Sequence, residues 1–225
     1  MRTTPFDPTA VQLSYAPPAA EAVSGLPDTM PGLAELTSAL ACAVQAPAVL
    51  VTIDPDLLDG ALAYGSDCDG VSRVVLGAEL LADEMRLRGV LAHEIAHHAL
   101  RHGQGAVRWW DGAANAALAA ALVAIVAGLP LAAILGAAAA AIALRLISGR
   151  VQRLEEYDAD TYSVRLLEAA GLDGHAIVTA TLAAIPQESR WYRVLGWIAG
   201  SHPTPDARRR AIASGRWAPA VGIRS

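Results

Sequence analysis

Two histidines and a glutamate lie close together in the chain and could bind and use a metal ion. The segment reads His93-Glu94-Ile95-Ala96-His97. On a helix, residues four apart differ by about 40° around the axis, so both imidazoles can reach one ion. Zinc is held in this way in metalloproteases, where the intervening glutamate acts as general base. We therefore expect His93 and His97 to bind zinc and Glu94 to hold the attacking water.

A tetrahedral catalytic zinc needs a third protein ligand and one open position. His98 and His102 are near in sequence but poorly placed, since His98 points about 100° away from His97 and His102 lies beyond the ligand face. We expect these two to have capping or supporting roles.

The better candidate for the third ligand is Glu156, in an acidic segment that continues a predicted helix. Asp160 follows it by four residues, so the two carboxylates share a face. One can bind zinc, and the other can accept a hydrogen bond from the far nitrogen of a zinc-bound histidine. A solvated acidic face is the alternative interpretation, and it suits Glu155 and Asp158 better than these two.

Three motifs together resemble the M48 peptidases, a family that contains membrane proteases and CAAX-processing enzymes. They are the HEIAH segment, the EYDAD segment at 156–160, and Ser-His-Pro-Thr-Pro at 201–205 followed by Arg208. The resemblance covers roughly residues 31–215.

The resemblance implies one zinc per chain on His93, His97 and Glu156, with Glu94 as the catalytic base. It also implies Asp160 as the supporting partner of His93. His202 or Arg208 could donate to the developing oxyanion, and the resemblance favours His202. A buried structural hydrogen bond near a turn is the alternative role for His202. Solvated charge is the alternative for Arg208, which opens a run of three arginines.

A long apolar stretch separates the two halves of this site. Residues 112–144 contain no charged side chain, and Gly128-Leu129-Pro130 would break a helix at the middle. Because the chain must return to the same zinc, we expect an antiparallel hairpin at 111–147. Each arm of about 16 residues spans roughly 24 Å, which is short for a hydrocarbon core of ~30 Å. The hairpin would therefore thin the bilayer or dip into it.

The flanks of the stretch favour membrane association through 112–147. Trp109 and Trp110 precede it, and arginines lie on both sides. Aromatic residues favour the membrane interface, and basic flanks favour the cytoplasmic side. We therefore expect association with the cell membrane and an active site facing the cytoplasm. The alternative is an alanine-rich hairpin buried in a soluble cytoplasmic protein or an oligomer.

Composition limits the remaining function classes. The chain has 225 residues and a formal net charge of −5, which argues against nucleic acid as a partner. Its two cysteines, Cys42 and Cys68, are too few and too scattered for a disulfide framework or a zinc ribbon. Residues 1–30 are rich in proline and lack the apolar core of a signal peptide. The N-terminal membrane helices of HtpX-type relatives are not expected either.

The pattern predicts an α+β fold, mainly helical, with a zincin-like core, a small sheet and the inserted hairpin. We expect a helix at 33–44, strands at 48–53, 61–64 and 71–76, the HEIAH helix ending near Gly103, and a final helix at 207–213. Residues 191–198 are expected to pack in the core, and 214–225 to form a loose tail. The expected segments are a proline-rich N-terminus (1–30), two catalytic parts (31–110 and 148–215) flanking the hairpin (111–147), and a tail (216–225).

These patterns predict a zinc-dependent endopeptidase that acts on a protein or peptide. A substrate could add to an edge strand of the small sheet, or the sheet could be only structural. Two other functions remain open. One is a catalytically silent scaffold that keeps the zinc site, and the other is a metal-dependent hydrolase of a non-peptide substrate. The sequence does not define an oligomeric state.

Overall fold

The structure is a computed structural model that describes residues 37–40, 49–57, 61–64, 72–102, 106–185 and 202–215. Residues 37–40 are helical, within the expected helix at 33–44. The expectations for residues 1–30, 191–198 and 216–225, and for both cysteines, lie outside these ranges. The strands are β1 (Val49–Asp54), β2 (Ala61–Tyr64) and β3 (Ser72–Gly77). The helices are α1 (Glu84–Ala99), α2 (Ala106–Val126), α3 (Leu131–Ala169), α4 (Gly174–Ala184) and α5 (Pro205–Ser214).

The three strands form one mixed sheet in the order β1-β3-β2. β1 runs parallel to β3, with Val51 opposite Val74, and β2 runs antiparallel to β3, with Ala63 opposite Val74. Val51 and Val74 are fully buried, as expected for β-branched residues on the covered face of a sheet. Each strand lies within one residue of its expected bounds. The expected α+β, mainly helical class is confirmed.

The chain divides into two compact units. The first contains residues 1–101, 157–185 and 205–225, and the second contains 102–156 and 186–204. In the first unit, the sheet, α1, the end of α3 and α4 contribute to one apolar core. Its members without exposed surface include Leu76, Leu80, Leu87, Leu91, Ile95 and Leu167. In the second unit, the large apolar side chains of α2 and the first part of α3 are mostly exposed.

Helix α1 begins and ends for local reasons. The Asp83 side chain accepts a hydrogen bond of 3.0 Å from the Arg86 amide, which caps the first turn. At the other end, the Leu100 amide donates to Ala96 and the Arg101 amide donates to His98. Arg101 has a φ of 55°, in the left-handed region that stops a helix. The helix thus ends at Ala99, earlier than the expected end near Gly103.

Helix α3 is continuous over 39 residues, or roughly 58 Å. Its first part is the second arm of the apolar stretch, and its later part carries the acidic segment with Glu156 and Asp160. The helix runs without interruption through the expected boundary between the hairpin (111–147) and the second catalytic part (148–215). No proline lies near residue 147, and the one glycine there, Gly149, does not interrupt the helix.

Candidate metal centre

The two histidines of α1 face each other across one turn. The Nε2 atoms of His93 and His97 are 3.0 Å apart, and the ring planes meet at 85°. Two nitrogens bound to the same tetrahedral zinc at about 2.0–2.1 Å would be about 3.3 Å apart. Ile95 lies on the opposite side of this helix and has no exposed surface, so it anchors that side in the core. The helix thereby presents both imidazoles together.

Glu156 completes a set of three donors. One ligand atom from each of His93, His97 and Glu156 lies within 4.8 Å of the others. Glu156 is 5% exposed. Two imidazoles and one carboxylate form a ligand set that catalytic zinc uses, with the fourth position left for water or substrate. The chemistry and spacing of these donors therefore fit a zinc ion.

Asp160 supports this cluster from one turn further along α3. Its Oδ1 lies 3.1 Å from the Nδ1 of His93. An imidazole that donates from Nδ1 to a carboxylate keeps its Nε2 lone pair for a metal, and the carboxylate also fixes the ring orientation. The face shared by Glu156 and Asp160 thus carries one candidate ligand and one group that orients another.

Arg208 of α5 holds Asp160 in turn. Its Nε donates to Oδ2 at 2.7 Å and its Nη2 donates to Oδ1 at 2.5 Å. Both side chains are almost fully buried, which rules out the solvated interpretation of Arg208. Burial alone would raise the pKa of Asp160, but the hydrogen bonds from Arg208 and His93 outweigh it and lower that pKa. Asp160 therefore stays ionised beside the candidate ligand.

His202 contacts the candidate third ligand. Its Nδ1 lies 2.9 Å from the Oε1 of Glu156, and about two thirds of its side chain is exposed. This contact places the imidazole where it can orient the Glu156 carboxylate. The exposure of His202 differs from the buried hydrogen bond that was the alternative to a role at the oxyanion.

Glu94 lies between the two histidines on α1 and is half-buried. Its neighbour in the helix, His98, is directed elsewhere: its Nε2 is 3.0 Å from the backbone carbonyl of Arg73 in β3. Burial lowers the pKa of His98, which favours the neutral imidazole at this structural position. His102 follows the end of α1 in a turn. Neither His98 nor His102 belongs to the three-donor cluster.

Sequence reasoning missed a second polar cluster, at the base of the apolar stretch. Asp111 accepts hydrogen bonds from Arg145 and Ser148, each at 2.8 Å. Gln152 also donates to Asp111, at 3.4 Å. One signal was present in the sequence: Asp111 and Arg145 immediately flank the uncharged residues 112–144. Opposite charges at the two ends of a predicted hairpin are placed to meet.

The chain matches the model of a known protein family. The family model described as Peptidase family M48 matches residues 29–215, which span all three motifs. No curated protein and no solved structure is significantly similar to the chain. The match covers most of the sequence, and the chain therefore belongs to peptidase family M48.

Proposed function

From this membership of a metallopeptidase family, we propose that the chain is a zinc-dependent endopeptidase of protein or peptide substrates. The three-donor cluster of His93, His97 and Glu156 is the observation that carries the proposal. These residues would hold one zinc ion. When bound, zinc would act as a Lewis acid that lowers the pKa of a water toward neutrality and polarises the scissile carbonyl.

Glu94 is the general base of the proposed reaction. Its carboxylate takes a proton from the attacking water and then delivers it to the nitrogen of the leaving amine. Glu94 follows the first histidine directly, so the helix that aligns the ligands also fixes the base beside them. Hydrolysis consumes one water and breaks the C–N bond: the water oxygen bonds to the carbonyl carbon to form the new carboxyl group, and a proton from the water goes to the new amino group.

Asp160 and Arg208 act on the ligands rather than on the substrate. Asp160 orients His93 and Arg208 holds Asp160, so the pair would keep one imidazole aligned. His202 would orient Glu156 in the same way. The role of His202 as a donor to the oxyanion stays a prediction. The contact between His202 and Glu156 is compatible with that role but does not depend on it.

Membrane association is the second part of the proposal. Helices α2 and α3 are long and apolar enough to cross a membrane, judged by length and composition. Their large apolar residues are exposed, as suits contact with lipid. Basic residues flank the apolar stretch on both sides, which supports an orientation in which both ends, and the catalytic residues, face the cytoplasm.

The test pairs zinc content with cleavage of a denatured protein, for wild type and Glu94→Gln. We expect stoichiometric zinc in both proteins. Cleavage by the variant should fall by about 10²–10⁴-fold, the usual contribution of a general base. His97→Ala is the matched control for the ligand role, and it should lose both zinc and cleavage.

Each result bears on a different part of the proposal. Full activity in Glu94→Gln would remove Glu94 as the base. Zinc retained with equal affinity in His97→Ala would remove the ligand set. Stoichiometric zinc without cleavage in any protein, tested on several denatured substrates, would favour a zinc-site scaffold instead.

A further inference from the structure

The polar cluster at the base of α2 and α3 joins the two helices through one carboxylate. Asp111 of α2 accepts from Arg145, Ser148 and Gln152 of α3, and Arg145 also donates to Asn115 at 3.3 Å. Ser148 has no exposed surface. The cluster pairs Asp111 with Arg145, the two charged residues that border the uncharged stretch at 112–144, so a boundary between polar and apolar surroundings can lie here.

Beyond the cluster, both helices are apolar on every side that is exposed. The buried residues of α2 in this stretch are small: Ala114, Ala121 and Ala124. The exposed ones include large apolar side chains throughout both arms: Leu118, Leu122, Val123, Ile125, Val126, Leu131, Leu135 and Ile142. A helix that packs on one partner protein needs one apolar face, with polar residues opposite. Large apolar side chains that are exposed around both helices indicate apolar, fluid surroundings, and in a cell these are the lipids of a membrane.

The turn between the helices is also adapted to surroundings without water. Residues 127–131 read Ala-Gly-Leu-Pro-Leu and contain no polar side chain, whereas turns in water favour Asn, Asp and Ser. Gly128 adopts a φ of 63° and its amide donates to Ile125, while the Leu129 amide donates to Ala124. These two bonds form a Schellman motif.

The Schellman motif leaves few backbone donors for water at the turn. The Ala127 amide donates to Val123, and Pro130 has no amide hydrogen. The amides of residues 127–129 are thus all bonded within the hairpin. In hydrocarbon, every backbone polar group without a partner is costly, and a turn of this kind reduces that cost.

We propose that the α2–α3 hairpin enters the bilayer from one side and ends inside it, with the turn at 127–130 in hydrocarbon. The uncharged part of the first arm supports this depth. Although α2 as a whole is long enough to cross, Gly112–Val126 has 15 residues, or roughly 22 Å, against a hydrocarbon core of ~30 Å. The cluster around Asp111 then lies at the surface where the hairpin enters. The occupant of the apolar surface is the acyl chains of the lipid.

This inference rests on the membrane part of the proposed function and is independent of the peptidase chemistry. Its test uses the full chain in phospholipid vesicles, with Cys42 and Cys68 replaced by alanine. A nitroxide is attached in turn to Val126→Cys, Leu129→Cys and Arg150→Cys. Collisions with oxygen, which concentrates in hydrocarbon, are compared with collisions with a water-soluble nickel chelate. Zinc content of each labelled protein reports whether the catalytic unit has folded.

We expect the ratio of oxygen collisions to nickel collisions to be above one near the turn and below one at the control position. Oxygen collisions should exceed nickel collisions at Val126 and Leu129, both exposed in the hairpin. Nickel collisions should exceed oxygen collisions at Arg150, which is exposed and lies between the cluster residues Ser148 and Gln152.

Three other results would overturn the proposal, each in a different way. Nickel access at Leu129 together with oxygen access at Val126 would mean that the hairpin crosses and its turn emerges on the far side. Low collision rates with both reagents at Val126 would mean that protein, such as a second copy of this chain, covers the surface. Nickel access at both positions, or recovery of the parent protein outside the vesicles, would place the hairpin in water.

Discussion

Arg208 and Asp160 are joined by two hydrogen bonds, although 48 residues separate them in the chain. Oδ1 of Asp160 also lies 3.1 Å from Nδ1 of His93. A guanidinium, a carboxylate and an imidazole therefore form one chain of contacts that ends at a candidate metal ligand. The positive charge of Arg208 compensates the negative charge of the buried Asp160 carboxylate. Asp160 therefore stays ionised and can accept a hydrogen bond that orients His93.

Removal of the arginine should destabilise the protein strongly. Arg208→Ala would leave Asp160 buried without its cation, and breaking a buried ion pair in this way costs about 3–5 kcal/mol. Urea denaturation of the metal-free protein would measure the change in the free energy of unfolding. Arg209→Ala is the matched control, because Arg209 pairs with Asp206 at the surface and such pairs contribute up to about 1 kcal/mol. Equal losses in the two variants would contradict the structural role of Arg208.

Neutralising Asp160 should weaken zinc binding while keeping the shape of the side chain. Loss of an outer partner of a metal-bound histidine typically costs about 10–100-fold in affinity, so we expect this loss in Asp160→Asn. Competition with a chelator of known affinity would measure it. Glu168→Gln, which removes an exposed carboxylate from the same helix, should leave the affinity unchanged. An unaltered zinc affinity in Asp160→Asn would show that Asp160 serves folding alone.

The close approach of α1 to α4 requires a glycine in the helix that carries the ligands. A Cβ at Gly89 would lie 2.0 Å from Oγ1 and 2.9 Å from Cβ of Thr181. Gly89→Ala should therefore reduce the free energy of unfolding by about 1–3 kcal/mol. Gly112→Ala is the control: a Cβ there has no neighbour within 4 Å among the described residues, and helix propensity favours alanine by up to ~1 kcal/mol.

A second substitution tests whether this contact is the cause. Thr181→Gly removes both clashing atoms, so the double variant should lose less stability than the sum of the two single changes. Strict additivity would mean that Gly89→Ala acts through something other than Thr181.

The polar cluster at the base of the hairpin should stabilise it locally. Asp111→Ala removes the acceptor for Arg145 and Ser148 and should cost about 1–3 kcal/mol. Amide hydrogen exchange of α2 in detergent would measure the loss as faster exchange. Asn115→Ala, which removes only a longer bond of 3.3 Å, should have a much smaller effect. If α2 exchanges equally in both variants, Asp111 is not the centre of the cluster.

Local patterns determined the half of the site that lies on α1. Because the period of a helix is fixed, a spacing of four residues by itself places His93 and His97 on one face, with Glu94 beside them. The same kind of reasoning located three strands to within one residue, since alternation of side chains and turn residues act over a few positions. It failed at the end of α1, where the left-handed conformation of Arg101 stops the helix before Gly103.

Only the tertiary structure decided how distant carboxylates and cations pair. Periodicity put Glu156 and Asp160 on one face, but it did not decide which carboxylate would join the two histidines as the third donor. Nor did it decide which one would pair with Arg208. It likewise left open whether Arg208 was solvated and what His202 would contact, and it gave no pairing for Asp111. These contacts join residues tens of positions apart, and their partners are set by how helices pack around a core. Helical spacing fixes directions within one element, whereas the choice among several acids and bases depends on packing and burial between elements.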